Sequence, residues 1–337
     1  MIEYVDINHA AEADEFVKNH PKCHFEQISD WGRVKQYDDW TSIICRGEDG
    51  KIRGVMAILH SRINHTKYYR LYAPRGPIFD DGDFETFREL IEAAKQLADK
   101  VNAVVIKIDP MVEEGDDAFM TETVKFGFAC NKAADFSLSN PRVAYVTDLR
   151  GLTEDDLIAK YHRTLRYHVR RSEKSGLVLR RGTVDDVDRF IDMMSQTGEK
   201  NGFKPHSKKY YTSYLTNMPD IADFYIAEED GVTVAATFTA ELGNRMWYMY
   251  GCSDQSRLDN HPNEFLQWKM QCHAIEKGYD WFDMRGVEGF PTEDNPHYGL
   301  HRYKKSMGAD FKVYCGEFTL VTKPLAYKAI NALKKII

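Results

Sequence analysis

Residues 223–250 read DFYIAEEDGVTVAATFTAELGNRMWYMY and decide the fold of the second half of the chain. Two runs rich in β-branched and aromatic residues, Asp223–Glu228 and Val232–Glu241, flank the turn Asp230-Gly231. This arrangement predicts a strand pair. A third run, Arg245–Tyr250, consists mainly of aromatic and methionine residues and predicts a further strand. The stretch therefore places three strands in succession before a polar loop.

Helical patterns flank these strands on both sides. Thr183 is the predicted cap of a helix whose apolar residues recur at helical spacing. After the polar loop, Pro262 begins a second helix, and Trp281–Met284 is a predicted strand. The second half thus contains a helix, a strand pair, an aromatic strand, a loop, a helix and a strand.

The first half repeats this order. Its predicted elements are a helix over Asn8–His20, strands at Thr41–Arg46, Arg53–His60 and Lys67–Tyr72, a Pro/Gly loop, a helix capped by Asp83, and a strand at Ala103–Ile108. Two copies of one element order indicate a duplicated domain. The order is that of the GNAT-type acyltransferase fold, an α/β mixed sheet with helices on both faces. We therefore predict two GNAT-like domains in tandem.

The length of 337 residues agrees with two domains, at roughly 100–200 residues for each. We place the linker near Asn140-Pro141-Arg142, with the first domain over 1–142 and the second over 143–316. Val313–Val321 is a predicted strand, and the tail from Pro324 is a predicted helix. We expect 317–337 to dock on the first domain; contact of the lysine-containing tail with an anionic membrane is the alternative.

Composition indicates a cytoplasmic globular protein. No stretch approaches 18 consecutive apolar residues, and the first residues lack a signal-peptide pattern. The six cysteines are scattered without a CxxC pair, so no zinc or other metal site and no redox chemistry is expected. A net charge of −7 argues against nucleic-acid binding by the whole surface, but not by a local basic patch. We expect a monomer.

One segment is strongly basic: AKYHRTLRYHVRRSEKSGLVLRR, residues 159–181, contains eight Lys/Arg and one acidic residue. At about 100° per residue, a helix here has an apolar face and a cationic face. The apolar face would hold Leu157, Tyr161, Leu165 and Val169, and the cationic face Lys160, Arg163, Arg166, Arg170 and Lys174. Such a helix is a candidate for binding the phosphates of a nucleic acid. A solvated surface helix is the alternative.

A CoA-dependent enzyme of this fold binds pyrophosphate at a helix N-terminus, through a run such as Q/R-x-x-G-x-G/A. The two corresponding loops, APRGPIFDDGD (73–83) and GCSDQSRLDNHPN (251–263), do not contain such a run. The first loop carries three aspartates, which would repel a pyrophosphate. A different activated acyl donor is therefore favoured, and no cofactor is expected.

Motifs that run in order through nearly the whole chain resemble those of one family. They are Gln27–Lys35 with Trp40, Tyr72-Ala-Pro-Arg-Gly-Pro77, Lys107-Ile-Asp-Pro110, Asp148-Leu149 with the basic helix, Gly202-Phe203, Tyr210-Tyr211, Tyr250-Gly-Cys-Ser253, Gln267-Trp268, Asp283 with Gly286, and Tyr303-Lys304-Lys305. Together they resemble the Fem (FemABX) family of non-ribosomal peptidyl transferases. The chain has no room for the helical-hairpin insertion of some members, so it resembles the compact type.

The resemblance implies transfer of an amino acid from aminoacyl-tRNA to an amine of a peptidoglycan precursor. The amino acid would be glycine, alanine or serine, and the acceptor a UDP-linked or lipid-linked muramyl peptide. A lipid-linked acceptor would bring the protein to the inner face of the membrane. The basic residues Arg163, Arg166 and Arg170 are the candidates for tRNA binding.

Two residues are candidates for catalysis. Lys304 resembles the family's lysine beside the reacting ester, where it would stabilise the oxyanion or the tRNA terminus. Asp109 resembles the family's candidate base. An ordinary aspartate, with a pKa of about 3.9, is a weak base for an amine of pKa about 10, so we favour binding and desolvation of the acceptor amine. The alternatives are a surface lysine and a carboxylate that caps a strand end.

The remaining candidates bind substrate. Lys35, Tyr210 and Tyr250 match family positions implied in phosphate binding, and Tyr303 precedes the candidate lysine. His206 stands where the family often shows arginine, so a bidentate contact with phosphate is lost and the UDP-linked acceptor is put in doubt. Tyr210 could instead be a core residue.

Two other functions are open. A CoA-dependent N-acyltransferase is the first alternative, against which the missing pyrophosphate loop counts. The second is a non-catalytic RNA-binding module that uses only the basic helix.

Overall fold

The computed structural model describes residues 1–35, 37–135 and 137–334, and its elements are numbered along the chain. The strands are β1 (Ile2–Asp6), β2 (Asp39–Arg46), β3 (Ile52–Arg62), β4 (Tyr69–Ala73), β5 (Ile78–Phe79), β6 (Ala103–Ile108), β7 (Ala129–Asn131), β8 (Val143–Asp148), β9 (Val178–Arg181), β10 (Ala222–Glu229), β11 (Val232–Leu242), β12 (Arg245–Ser253), β13 (Trp281–Asp283), β14 (Asp310–Val313) and β15 (Glu317–Val321). The helices are α1 (Ala11–Asn19), α2 (Ser29–Lys35), α3 (Phe84–Lys100), α4 (Asp117–Lys125), α5 (Glu154–Lys160), α6 (Arg163–Ser172), α7 (Val187–Asn201), α8 (Lys208–Asn217), α9 (Pro262–Glu276), α10 (Tyr298–Ser306) and α11 (Pro324–Lys334).

The chain divides into two units, each with its own sheet. The first unit comprises Met1–Arg142 together with the chain from Val313 onward, and the second comprises Val143–Lys312. The element order that the sequence predicts is present in both.

The sheet of the first unit has the order β1-β2-β3-β4-β6-β15-β7, with β5 paired to β3. β4 and β6 are parallel neighbours, and α3 forms the crossover between them. The Asp83 side chain caps α3 by accepting the Thr86 backbone N–H at 3.1 Å, as the sequence predicts. Phe87, Leu90 and Ile91 on α3 are fully buried in the core of this sheet. The carboxyl end of β6 is thereby fixed, and Asp109 follows directly after it.

The sheet of the second unit has the order β14-β8-β13-β12-β11-β10-β9. β12 and β13 are parallel, with α9 as the crossover, so the unit repeats the β4-α3-β6 arrangement. Pro262 stands at the start of α9, where its missing N–H needs no partner. These two mixed sheets confirm the predicted α/β fold class.

The C-terminal segment belongs to the first sheet. β15 is antiparallel to β6, and Ile330 of α11 packs in a cluster with Val104 and Val105. The predicted single strand Val313–Val321 is wrong: β14 ends at Val313 and β15 begins at Glu317. The chain turns away between them because Tyr314 N–H donates to Arg142 O and Gly316 has a φ of 126°. The Leu333 side chain and residues 335–337, which the tail prediction included, lie outside the described residues.

The basic segment is not one helix. α5 ends at Lys160, Tyr161 adopts an extended conformation, and α6 begins at Arg163 with His162 as its cap. The helix predicted across 159–181 is therefore interrupted at Tyr161-His162 and ends at Ser172, and Val178–Arg181 form a strand. The predicted apolar face is nevertheless buried, because the break keeps Tyr161 in the same core as Leu165.

None of the described helices combines the length and the low polarity that a membrane span requires.

Candidate functional site

Asp109 lies at the end of β6 and is buried. Its carboxylate accepts the Tyr72 hydroxyl at 2.8 Å and the Arg75 backbone N–H at 2.6 Å. Burial raises the pKa of Asp109 to about 6, although the charge of Arg75 opposes this shift. A desolvated carboxylate that titrates near neutral pH is suited to hold or accept an amine proton.

Tyr72 connects Asp109 to a second buried carboxylate. Asn140 donates to the Tyr72 hydroxyl at 3.0 Å and to Glu26 at 2.6 Å. Buried polar groups need hydrogen-bond partners. The network that runs from Asp109 through Tyr72 and Asn140 to Glu26 therefore fixes the orientation of the Asp109 carboxylate. The sequence motifs contain Tyr72 but gave no role to Glu26 or Asn140.

Lys35 is the last residue of α2, and its side chain is partly exposed. Its Nζ lies 4.7 Å from the centroid of the Trp31 ring, a cation–π contact. Gly32 permits the close packing of α2, because a Cβ there would lie 2.6 Å from Trp40 Cδ1. The tryptophans of the predicted motif therefore position this lysine.

Lys304, on α10, points into the second unit and is buried. Its Nζ donates to three backbone carbonyls, Met284 O at 2.6 Å, Gly286 O at 3.0 Å and Arg285 O at 3.2 Å. Burial lowers the pKa of Lys304 to about 7, and Asp283 opposes the shift. The lysine is not on the surface: it holds the loop after β13, where Arg285 has a φ of 62°.

A cleft of about 720 Å³ opens beside α10 within the second unit. Its lining comes from the end of α5 and from α6, α9 and α10. The residues are Lys160, His162, Thr164, Leu165, His168, Glu264, Gly299, Arg302, Tyr303, Lys305 and Ser306. With three cationic side chains and one carboxylate, the lining favours an anionic ligand. Of the residues predicted from the sequence to bind substrate, Tyr303 is in this lining.

Three other predicted residues meet on one side of the second unit. Tyr210 of α8 and Tyr250 of β12 share a hydrogen bond of 2.8 Å between their hydroxyls. The His206 ring lies 4.2 Å from that of Tyr210 and 5.5 Å from that of Tyr250. Tyr210 is half-buried whereas its neighbour Tyr211 is fully buried, so Tyr211 fills the core. The structure therefore brings together a histidine and two phenols.

The backbone beside Tyr250 depends on a glycine. A Cβ at Gly251 would lie 1.9 Å from the Tyr248 hydroxyl and 2.6 Å from its Cζ, so the whole phenol ring or the strand must shift. We expect Gly251→Ala to lower the free energy of unfolding by about 1–3 kcal/mol through overpacking. Urea denaturation measures this. Gly299→Ala is the control, because a Cβ at Gly299 meets open space. Gly243→Ala would not serve, because Gly243 has a φ of 58°, which strains any residue with a Cβ.

The candidate tRNA-binding arginines lie on α6. Arg163 and Arg170 are exposed, and Arg166 is partly exposed and donates to Ala159 O at 3.1 Å. Across the ranges that the structure describes, none of the three forms an ion pair with an acidic side chain. Their charge is therefore available to a polyanion.

One protein family matches nearly the whole chain. The model described as the FemAB family matches residues 9–231 and 227–335. The chain belongs to the FemAB family. The predicted family is thus confirmed, and Asp109, Lys304 and the aromatic group occur within the matched FemAB region.

Two curated FemAB-like relatives align along nearly their whole lengths. The lipid II:glycine glycyltransferase of Staphylococcus epidermidis strain ATCC 35984 is 26% identical over 390 positions, covering 95% of this chain and 93% of the relative. The protein of the same name from Staphylococcus aureus strain bovine RF122 is 26% identical over 398 positions, covering 96% of this chain and 94% of the relative. Both alignments exceed the length of this chain, so the relatives contain insertions. This agrees with the compact type, and the names agree with the predicted aminoacyltransferase class.

Solved structures support the fold. The crystal structure of FemX has a TM-score of 0.89 at 23% identity, covering 98% of this chain and 99% of that chain. A tandem GNAT protein from the clavulanic acid biosynthesis pathway has a TM-score of 0.57 at 11% identity, covering 96% of this chain and 99% of that chain. The predicted tandem GNAT-like fold is confirmed.

Proposed function

We propose that the chain transfers an amino acid from aminoacyl-tRNA to an amine of a peptidoglycan precursor stem peptide and so builds the interpeptide bridge. The observation that carries the proposal is the end-to-end similarity to lipid II:glycine glycyltransferases. Glycine is therefore the first donor residue to test, with alanine and serine next.

The surface of the second unit supports an RNA donor. The cationic cleft and the exposed arginines of α6 adjoin, because Thr164 and Leu165 of α6 line the cleft. Phosphates would bind the arginines, while the cleft is large enough for the terminal nucleotide and its esterified amino acid.

Charge reversal on α6 tests this donor. Arg163→Glu, Arg166→Glu and Arg170→Glu together should weaken tRNA binding by at least about 10-fold and reduce the salt slope by roughly 2, since each lost phosphate contact removes about 0.7–0.9. Fluorescence anisotropy with labelled tRNA at several salt concentrations measures both.

The matched control is Lys18→Glu, Lys51→Glu and Lys67→Glu, which makes the same change in net charge at exposed lysines of the first unit. An equal loss of affinity in the control would show a non-specific charge effect. An unchanged salt slope in the α6 variant would remove this helix from the tRNA site.

For the acceptor, we propose a lipid-linked muramyl peptide, reached at the inner face of the membrane. His206 replaces the bidentate arginine that would suit a nucleotide diphosphate, and Lys208, which could compensate, pairs with Asp188 at 2.6 Å. Tyr210 and Tyr250 of the second unit offer single hydrogen-bond donors to a phosphate, and Lys35 is a separate candidate donor in the first unit. A higher kcat/KM with the UDP-linked than with the lipid-linked precursor would contradict this choice.

The chemistry is aminolysis of an ester that is already activated. The acceptor nitrogen attacks the ester carbonyl and the bond to the tRNA ribose oxygen breaks, so that an amide forms. Of the two protons that the acceptor ammonium loses, one ends on the leaving ribose oxygen as a hydroxyl. In this proposal Asp109 binds the acceptor ammonium in a desolvated site and receives its proton as the amine attacks. We propose separately that Lys304, in the second unit, supplies positive charge near the ester of the tRNA terminus, while its Nζ holds the 284–286 backbone.

A CoA donor is less well supported. Its pyrophosphate would occupy the N-terminus of the crossover helix, but at α3 the carboxylate of Asp83 already accepts a backbone N–H there. Failure of acetyl-CoA to bind in calorimetry would agree with the RNA donor.

A further inference from the structure

A second group of ionisable side chains lies on the sheet of the second unit. Asp223 is near the start of β10, Glu241 near the end of β11, and His273 on α9, which covers these strands. One ligand atom of each lies within 4.8 Å of the others. All three side chains are partly buried. The group joins two strands to the helix that packs on them.

The two carboxylates face each other at short range. Asp223 and Glu241 are joined by a side-chain hydrogen bond. Two adjacent carboxylates are stable only with a shared proton or a cation between them. Arg181 forms an ion pair with Asp223 from one side, and its guanidinium also lies 4.3 Å from the centroid of the Tyr225 ring. A metal ion bound between the two carboxylates would take the place of the proton that they share.

His273 has a nitrogen directed at this pair. Its Nε2 is buried and makes a long contact of 3.4 Å with Glu241 Oε1. Glu241 is oriented by two phenols: the Tyr279 hydroxyl donates to Oε2 at 2.9 Å, and the Tyr225 hydroxyl donates to Oε1 at 3.4 Å. A carboxylate held by a phenol, with its other oxygen beside an imidazole nitrogen, is the arrangement of an oriented metal ligand.

A second cluster, His168, His261 and Glu264, is less suited to a metal. The two imidazole rings are stacked, with centroids 3.8 Å apart and an angle of 9° between planes. Their in-plane lone pairs therefore run parallel and do not converge on one ion. This cluster provides a matched control.

We propose that Asp223, Glu241 and His273 bind one divalent transition-metal ion of the Zn²⁺ class and thereby fasten α9 to β10 and β11. One imidazole and two carboxylates, with water as a fourth ligand, form a donor set that Zn²⁺ accepts. Ligand atoms about 2.1 Å from a tetrahedral ion lie roughly 3.4 Å apart, so small side-chain rotations complete the site. The site is independent of the proposed transfer reaction, because none of its residues is in the cleft or near Lys304.

Isothermal titration of the tag-free, EDTA-treated protein with ZnCl₂ tests the proposal. We expect one equivalent to bind, with the melting temperature rising by roughly 5 °C at 100-fold excess over Kd, and EDTA reversing the rise. His273→Gln and Glu241→Gln should each weaken binding by at least about 100-fold, and Tyr279→Phe by about 10- to 100-fold. His168→Gln should bind Zn²⁺ as the wild type does.

Circular dichroism establishes that each variant is folded, and Asp223→Asn replaces any variant that is not. Absence of saturable binding to the wild type would overturn the proposal. So would unchanged binding in the His273→Gln protein, or loss of binding in the His168→Gln protein. The transfer assay is separate, so its failure would leave this result unaffected.

Discussion

Lys304→Ala is expected to lower the rate of amino-acid transfer by about 100- to 1000-fold, the range for loss of a group that stabilises an oxyanion. The substitution removes a buried amino group, whose pKa burial lowers to about 7, and leaves three carbonyls, at residues 284–286, without their donor. Single-turnover transfer from charged tRNA measures the chemical step, and tRNA affinity, which should change little, is measured beside it.

Two further variants separate catalysis from folding. Lys277→Ala changes an exposed lysine at the end of α9 and should leave the rate unchanged. Lys304→Gln keeps an N–H donor for the loop but not the charge, so a folded Lys304→Gln protein with full activity would show that the charge is dispensable. For Lys304→Ala we expect the free energy of unfolding to fall by about 1–3 kcal/mol, because the buried carbonyls lose their hydrogen-bond donor.

Asp109→Asn is expected to lower kcat/KM for the acceptor by about 100-fold at pH 7.5 and to remove the acidic limb of the pH profile. The wild-type profile should fall below a pH of about 6, because the pKa of Asp109 is raised to about 6 and only the ionised carboxylate holds the ammonium. Assays between pH 5 and 8 with one acceptor, in buffers of constant ionic strength, measure this.

Asp109→Asn should also change how the free energy of unfolding depends on pH. Because the folded pKa of Asp109 lies above its unfolded value, the group's favourable contribution is present below about pH 4 and lost as the pH rises through about 6. Relative to wild type, Asp109→Asn should therefore gain stability between pH 4.5 and 7.

Asp99→Asn, at an exposed position, is the control and should change neither the pH profile of transfer nor the pH dependence of stability. A wild-type acidic limb that persists in Asp109→Asn would exclude Asp109 as its origin.

The strand pattern of the fold was predictable because its signals are local. The turn Asp230-Gly231, the cap Asp83 and the start at Pro262 all mark real boundaries. The break between α5 and α6 was not predictable in this way. Tyr161 and His162 are not helix-breaking residues, and the break is stabilised by a tertiary hydrogen bond from His162 N–H to Ser306 O at 2.7 Å.

The candidate site, too, could be predicted only in part from the sequence. The resemblance to the Fem family made Asp109, Lys304 and the His206 group candidates, but it did not give the direction in which Lys304 points. Alternation on a helix does not reveal that this lysine turns towards carbonyls while Lys305 lines the cleft. Glu26 and Asn140, which support Asp109, are 114 residues apart and meet only in the folded chain.

Transfer of labelled glycine from glycyl-tRNA to a lipid-linked muramyl-pentapeptide by the purified protein tests the central claim most directly. The proposal predicts a product that carries the label in amide linkage, whose formation stops after RNase treatment of the donor and is reduced in the Lys304→Ala and Asp109→Asn proteins. Absence of transfer to this acceptor and to the UDP-linked one, from glycyl-, alanyl- and seryl-tRNA alike, would contradict it.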